Sequence, residues 1–140
     1  MKRFILLFAF VSLSISLYAQ EIDQKRIDFV NKFYLAVINH KQSKVIKLMD
    51  KDYRKEQLDF LNGNKEQFVD ELFSGVDQES SKFINSELKN IEAMEIQDVK
   101  EAGKDKWEYT FLVEAGPYKM EISLLLKKNK KKYGFVGASG

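Results

Sequence analysis

Five large aromatic side chains that carry a polar atom are the residues of this sequence best suited to contact a ligand. They are Tyr34, Trp107, Tyr109, Tyr118 and Tyr133. In an apolar cavity their hydroxyl or indole groups would orient a ligand while the rings supply contact area. Core packing is the alternative at each position, because a small chain without cysteine needs most of its rings to fill volume.

No arrangement of catalytic or metal-binding residues stands out in the sequence. His40 is the single histidine and lies between Asn39 and Lys41, where we expect a solvated side chain at a helix C-terminus. Asp50 and Asp52 lie on a charged segment without the further ligands that a metal site needs. We therefore predict no catalytic residue, no metal ligand and no cofactor.

A dense run of lysines surrounds Asn129: Lys127, Lys128, Lys130, Lys131 and Lys132. It fits three interpretations, which are a soluble hairpin tip, a contact with an anionic surface and a nucleic-acid site. The tip is favoured because lysine commonly guards exposed strand ends. Nucleic acid is not expected as a partner, since the chain lacks a broad basic face with interleaved aromatic residues.

Residues 1–19 have the order of a secretory signal peptide. Lys2 and Arg3 come first, an apolar run from Phe4 follows, and Ala19 and Gln20 mark the cleavage region. The run is interrupted by serines and too short for a membrane anchor. We expect a periplasmic or secreted protein that keeps no stable membrane anchor after cleavage.

Residues 20–140 are expected to form one domain, since their number suits a single hydrophobic core. Removing Lys2 and Arg3 from 23 basic residues leaves the basic residues in balance with the 21 acidic ones. Bulk charge therefore indicates no polyanionic partner. We expect a monomer or a weak dimer.

The first half of this domain has helical periodicity. Apolar residues recur at steps of three and four over residues 22–40 and predict an amphipathic helix. The apolar stripe consists of Ile27, Val30, Tyr34, Val37 and Ile38. Ser43 is placed to cap a second, short helix, and Asn64 with Gln67 is placed to cap a third. The apolar residues between the second and third helices, Leu58, Phe60 and Leu61, are interpreted as an apolar plug. Three N-terminal helices result.

The second half has a period of two, most clearly at Trp107, Tyr109, Phe111 and Val113. Turn residues divide it into successive hairpin strands. The strand before them is irregular, and an extra residue near Ala93 would make it a long strand with a bulge. The predicted class is α+β, with three helices packed on a curved, four-stranded antiparallel sheet.

This order of elements resembles the nuclear transport factor 2-like superfamily, also called cystatin-like or ketosteroid-isomerase-like, and in particular its small exported bacterial members. Two local features add to the resemblance. One is the helix break and second helix from His40 to Asp52, and the other is the final strand Lys132-Tyr133-Gly134-Phe135-Val136. The resemblance implies a sheet that curls around the helices into a cone, whose concave face lines a pocket. Fold alone selects no function.

An enzyme of this type would need a carboxylate inside the cone, where burial raises its pKa. The inward positions of the last three strands are all apolar or aromatic, and only Glu92 or Glu95 on the irregular strand could turn inward. We therefore expect a non-enzymatic domain that binds a small apolar ligand or a peptide in its cone. The alternatives are a protein-interaction or inhibitor-like module that uses its outer surface, and an isomerase or dehydratase.

Overall fold

The computed structural model describes residues 24–138 and has the predicted α+β class. Within these residues, four helices come first and the strands follow. The chain divides into two units, the first ending at Lys32 and the second beginning at Phe33. The predicted leader, residues 1–19, and its cleavage site after Ala19 or Gln20 lie outside the described residues.

Helix α1 covers residues 24–38. In the part that begins at Phe33, the side chains of Phe33 and Val37 are fully buried. Tyr34, which the periodicity placed on the apolar stripe, is 40% exposed. His40 ends the helix in the left-handed conformation, with a φ of 53°. This conformation lets the backbone fold back on the last helical turn.

Three shorter helices follow, which are α2 (Gln42–Lys47), α3 (Lys51–Phe60) and α4 (Lys65–Leu72). Asn64 caps α4 as predicted, since its side-chain oxygen accepts the backbone N–H of Gln67 at 3.0 Å. Ser43 does not cap α2, because Lys41 occupies the N-cap position and Ser43 lies inside the first turn. The prediction for Ser43 is therefore wrong by two residues.

Helix α3 takes the place of the predicted plug and raises the number of helices from three to four among the described residues. The carboxylate of Asp50 accepts the backbone N–H groups of Asp52 at 3.1 Å and Tyr53 at 3.3 Å, which is an N-cap. Phe60 at the other end is 79% exposed. Leu61, just after the helix, is buried as predicted. The plug was wrong for Phe60, because the segment forms a surface helix that turns this ring toward solvent.

A small hairpin connects the helices to the main sheet. Its strands are β1 (Gly75–Val76) and β2 (Phe83–Ile84). Asp77 closes the turn between them and is buried. Its Oδ2 accepts from the N–H of Ser80 at 2.8 Å and from the Ser80 hydroxyl at 2.7 Å, while Oδ1 accepts the N–H of Lys119 at 3.0 Å. The carboxylate thus ties the hairpin to the main sheet.

The main sheet is antiparallel with its strands in chain order: β3 (Ile91–Gly103), β4 (Lys106–Ala115), β5 (Tyr118–Asn129) and β6 (Lys132–Ala138). Its register places Tyr109 opposite Leu124 and Phe111 opposite Ile122. All four side chains are buried, which confirms the inward phase. A register shift just before Ala93 confirms the predicted bulge.

The core is centred on the ring of Phe33. Its centroid lies 4.6 Å from that of Phe135, 6.0 Å from that of Phe111 and 6.3 Å from that of Phe73. All four side chains are at most 1% exposed. The inner face of the sheet is therefore covered by packed rings at this point.

Candidate functional site

The five aromatic residues predicted to contact a ligand are distributed over the molecule. Trp107 and Tyr133 form a half-buried pair at one end of the main sheet, with ring centroids 6.1 Å apart. Tyr118 lies at the opposite end, beside the β4–β5 turn, and is 39% exposed. Tyr34 lies on the exposed side of α1, and Tyr109 is 4% exposed within the core.

Tyr109 packs as a core residue does. Its ring stacks on Phe111 at 6.0 Å and meets the ring of Phe135 edge-on at 6.1 Å. Phe33 covers both of these phenylalanines from the helical side. Aromatic rings therefore fill the space around Tyr109 on the inner face of the sheet.

A groove of about 660 Å³ lies beside the β4–β5 turn and is here called the turn groove. Its apolar lining consists of Ile38, Ile84, Ile91, Ala115, Pro117 and Tyr118. His40 also lines it, and its Nε2 donates to the carbonyl oxygen of Ile91 at 2.7 Å. The side chain of His40 is exposed, but this hydrogen bond connects the end of α1 to β3. The expectation of a purely solvated histidine is therefore corrected.

A second groove, of about 840 Å³, lies between the α2–α3 link and the β5–β6 turn and is here called the basic groove. Its cationic residues are Lys47, Lys51, Arg54, Lys130, Lys131 and Lys132. Asp50 and Asp52 also line it, but the Asp50 carboxylate is engaged as the cap of α3. In the described part of the chain, none of the six cations forms an ion pair.

The two walls of the basic groove are joined by backbone contacts. Met49 bridges to Phe135, the N–H of Asp50 donates to the Phe135 carbonyl at 2.8 Å, and the N–H of Phe135 donates to the Leu48 carbonyl at 3.1 Å. A Cβ on Gly134 would lie 2.7 Å from the Asp50 Cα, so only glycine permits this approach. The cations on the two walls are consequently held near one another.

Among residues 24–138, the carboxyl groups of Asp70 and Asp77 have shifted pKa values, in opposite directions. Hydrogen bonds from the Ser80 hydroxyl and from the N–H groups of Ser80 and Lys119 lower the pKa of Asp77. Burial raises the pKa of Asp70, whose Oδ1 accepts the N–H of Leu88 at 3.0 Å. Asp77 closes a turn, and Asp70 holds the short 3-10 helix that precedes β3.

Glu92 and Glu95, the two acids that the sequence allowed to turn inward, are both exposed on β3. Among residues 24–138, no group of three or more acidic or histidine side chains is placed to hold a metal ion. No helix in this part of the chain is long and apolar enough to span a membrane.

Sequence reasoning found one wall of the basic groove and missed the other. The lysine run identified Lys130 to Lys132, but Lys47, Lys51 and Arg54 come from a distant segment whose helix α3 was not predicted. Asp50, followed by residues without glycine or proline up to Gly63, was the available signal for that helix. Comparison of the chain with models of known families, with curated proteins and with solved structures found no match.

Proposed function

We propose that this chain is an exported, non-enzymatic domain that acts as a protein-interaction module through its outer surface. The packing of Phe33 against Phe73, Phe111 and Phe135 is the observation that carries the proposal. These rings occupy the place where a cone would hold its ligand, while the turn groove and the basic groove lie at the surface. Membership of the nuclear transport factor 2-like superfamily is part of the same proposal and is supported by the order of helices and strands.

The distribution of acids supports a non-enzymatic role. In β4, β5 and the described part of β6, the buried inward positions hold only apolar or aromatic side chains. A general base in such an interior would be a desolvated carboxylate, and burying one without a partner is costly. Glu92 and Glu95 avoid that cost by facing solvent.

Export is supported by the charge and apolar pattern of the first residues. We expect the mature protein to begin at Gln20 or Glu21 and to be periplasmic or secreted. Intact-mass measurement on protein from the exporting cell tests this expectation. A full-length, membrane-bound species would contradict it.

Site-specific photo-crosslinking tests the surface function. A benzophenone amino acid is placed at Tyr118 in the turn groove, at Tyr133 in the basic groove or at Tyr34 on α1, in the cell that exports the protein. We expect a crosslinked protein from Tyr118 or Tyr133 and none from Tyr34, which is as exposed as Tyr118. Loss of all crosslinks, together with a small molecule that native mass spectrometry finds bound until the domain unfolds, would contradict the proposal.

The turn groove supports a second candidate function, which is binding of a small apolar ligand. Its volume of about 660 Å³ suits such a molecule, and Tyr118 is one of the five predicted ligand residues. Titration with N-phenyl-naphthylamine, whose fluorescence rises in apolar surroundings, tests this candidate. Tyr118→Ala should weaken binding of the dye and Tyr34→Ala should not. Equal binding by both variants would exclude this site.

A further inference from the structure

The basic groove concentrates positive charge, with six cations and two carboxylates in its lining. Lys47 ends α2, Lys51 begins α3, and Lys130 to Lys132 form the facing turn. Like charges held close together repel, and none of the six cations has an ion-pair partner in the described chain. Lys51 in the first turn of α3 opposes the helix dipole, whereas Lys47 in the last turn of α2 is favoured by it. The dipole therefore accounts for Lys47 and not for Lys51 or the three turn lysines.

A soluble hairpin tip explains only half of the groove. Lysines that guard a strand end account for Lys130, Lys131 and Lys132. They do not account for Lys47, Lys51 and Arg54, which belong to helices on the opposite wall. The bridge between Met49 and Phe135 holds the two walls together, so the cations surround one concave space.

The groove also offers an apolar surface. Part of the Tyr133 ring is exposed in its lining, whereas Met49 beside it is buried. Lys128 Nζ lies 5.8 Å from the centre of the Tyr133 ring, within the range of a cation–π contact. A free phosphate would use the charges alone, and a flat bilayer surface would not follow the concave lining. A peptide can use the charges and the ring together.

We propose that the basic groove binds an acidic segment of a partner protein. Its carboxylates pair with the lysines of both walls, and an aromatic or aliphatic side chain of the segment packs on Tyr133. The mature chain as a whole has balanced charge, so the attraction is local to this groove. The inference rests on the proposed surface function and adds the chemistry of the partner.

Fluorescence anisotropy with a labelled peptide of glutamate and interspersed phenylalanine tests the proposal. The variant Lys47→Glu/Lys51→Glu/Lys131→Glu changes both walls at exposed positions. Its control, Lys82→Glu/Lys104→Glu/Lys106→Glu, makes the same change in net charge at exposed lysines outside the groove. We expect the groove variant to bind about tenfold or more weakly and the control to stay within about twofold of the parent. Thermal melts of both variants confirm that they fold.

Three outcomes would overturn the proposal. Equal losses in the two variants would show that only net charge matters. Binding of phosphatidylglycerol vesicles without binding of the peptide would assign the groove to a membrane surface, and binding of single-stranded DNA alone would assign it to nucleic acid. Under any of these outcomes, a protein crosslinked at Tyr118 would still support the proposed surface function. Failure of the acidic-segment proposal can therefore be distinguished from failure of the surface function.

Discussion

Asp77 illustrates how one buried carboxylate can organise a segment that has no periodicity. The residues from Asp77 to Lys82 are polar, and their sequence has neither a helical nor a strand period. The two oxygens of the carboxylate accept three hydrogen bonds from Ser80 and Lys119 and thereby fix the turn of a hairpin. The pairing with Lys119 depends on residues far apart in the chain, so local sequence does not reveal it.

We expect Asp77→Asn to lower the melting temperature at about pH 7, because an amide has one acceptor oxygen and cannot replace all three bonds. The pKa of Asp77 is lowered in the folded state. Its contribution is therefore present above the ordinary carboxyl pKa of about 4 and is lost as the pH falls through the folded value. Melts at several pH values down to about 2 should show a smaller acid-induced loss in the variant than in the parent.

Asp70→Asn is the matched control for the same measurement. Burial raises the pKa of Asp70, so its charged form is disfavoured in the folded state and protonation at lower pH relieves that cost. The amide oxygen can still accept the N–H of Leu88. We expect an unchanged or higher melting temperature at neutral pH. Similar losses in both variants would mean that the two carboxylates are not distinguished by their hydrogen bonds.

At the scale of elements, the strands were the most predictable part. Successive side chains of a strand point to opposite faces, so burial of one face leaves a period of two in the sequence. Phe111 and Ile122 on the inner face and Thr110 and Glu121 on the outer face all lie where that period places them. The α1 stripe was less reliable, since Tyr34 continues the apolar pattern but faces solvent.

Phe111→Asp and Ile122→Asp should each unfold the domain or lower its melting temperature severely. Loss of a buried ring alone costs about 3–5 kcal/mol, and an unpaired buried charge adds to this. The total stability of a domain of this size is only about 5–15 kcal/mol. Thermal melts by circular dichroism provide the measurement.

Glu121→Lys and Thr110→Asn are the outer-face controls. Asparagine is preferred to aspartate at position 110 because Asp98 lies directly opposite in the register. Both controls should stay close to the parent, since surface substitutions usually change stability by less than about 0.5 kcal/mol. If the inner-face and outer-face variants had the same melting temperatures, the assignment of side chains to the two faces of the sheet would be wrong.

Neither helix α3 nor the basic groove beside it could be predicted from the sequence, and the reason is the same for both. Asp50 looks like a solvated acid until its N-cap bonds are known, and Lys47 looks like an ordinary surface lysine until β6 is placed beside it. The contact of the α2–α3 link with β6 joins residues from opposite ends of the domain. Local patterns carry no information about such a contact.

Gly134→Ala tests that contact directly. The added Cβ would lie 2.7 Å from the Cα and 2.8 Å from the N of Asp50, so the α2–α3 link must move away from β6. We expect a loss of about 1–3 kcal/mol in a denaturant titration. Gly75→Ala is the control, because its nearest contact at 3.4 Å is ordinary packing. A neutral effect at Gly134 would mean that the walls of the basic groove are not fixed in this way.

At the scale of the whole molecule, the net charge and the local distribution of charge lead to different predictions about a partner. The full sequence has a net charge of only +2, and removal of the predicted leader would balance it, so net charge predicts no anionic partner. The fold nevertheless gathers six cations around one groove, while much of the acidic charge lies on other elements such as β3. Function in such a chain depends on where folding places the charges.

The outer face of the main sheet determines whether the domain pairs with itself. Its apolar residues are few: Leu112 lies opposite Glu121, and Leu125 lies opposite Glu108. Glu114 and Lys119 form an ion pair at 3.2 Å on the same face. Charged side chains thus lie beside each of these half-buried leucines.

We expect the mature domain to be a monomer or only a weak dimer. A stable dimer usually buries more than about 1,000 Å² with an apolar centre, and isolated leucines beside glutamates do not provide one. The free edge of the sheet, β3, is interrupted by register shifts and carries charged side chains, which disfavours pairing between strands of two copies. Sedimentation equilibrium at micromolar protein should give the mass of one mature chain. A dimer that persists on dilution would show instead that the outer face or the β3 edge is an interface, and charge reversal at Glu121 or at Glu95 would then identify which of the two it is.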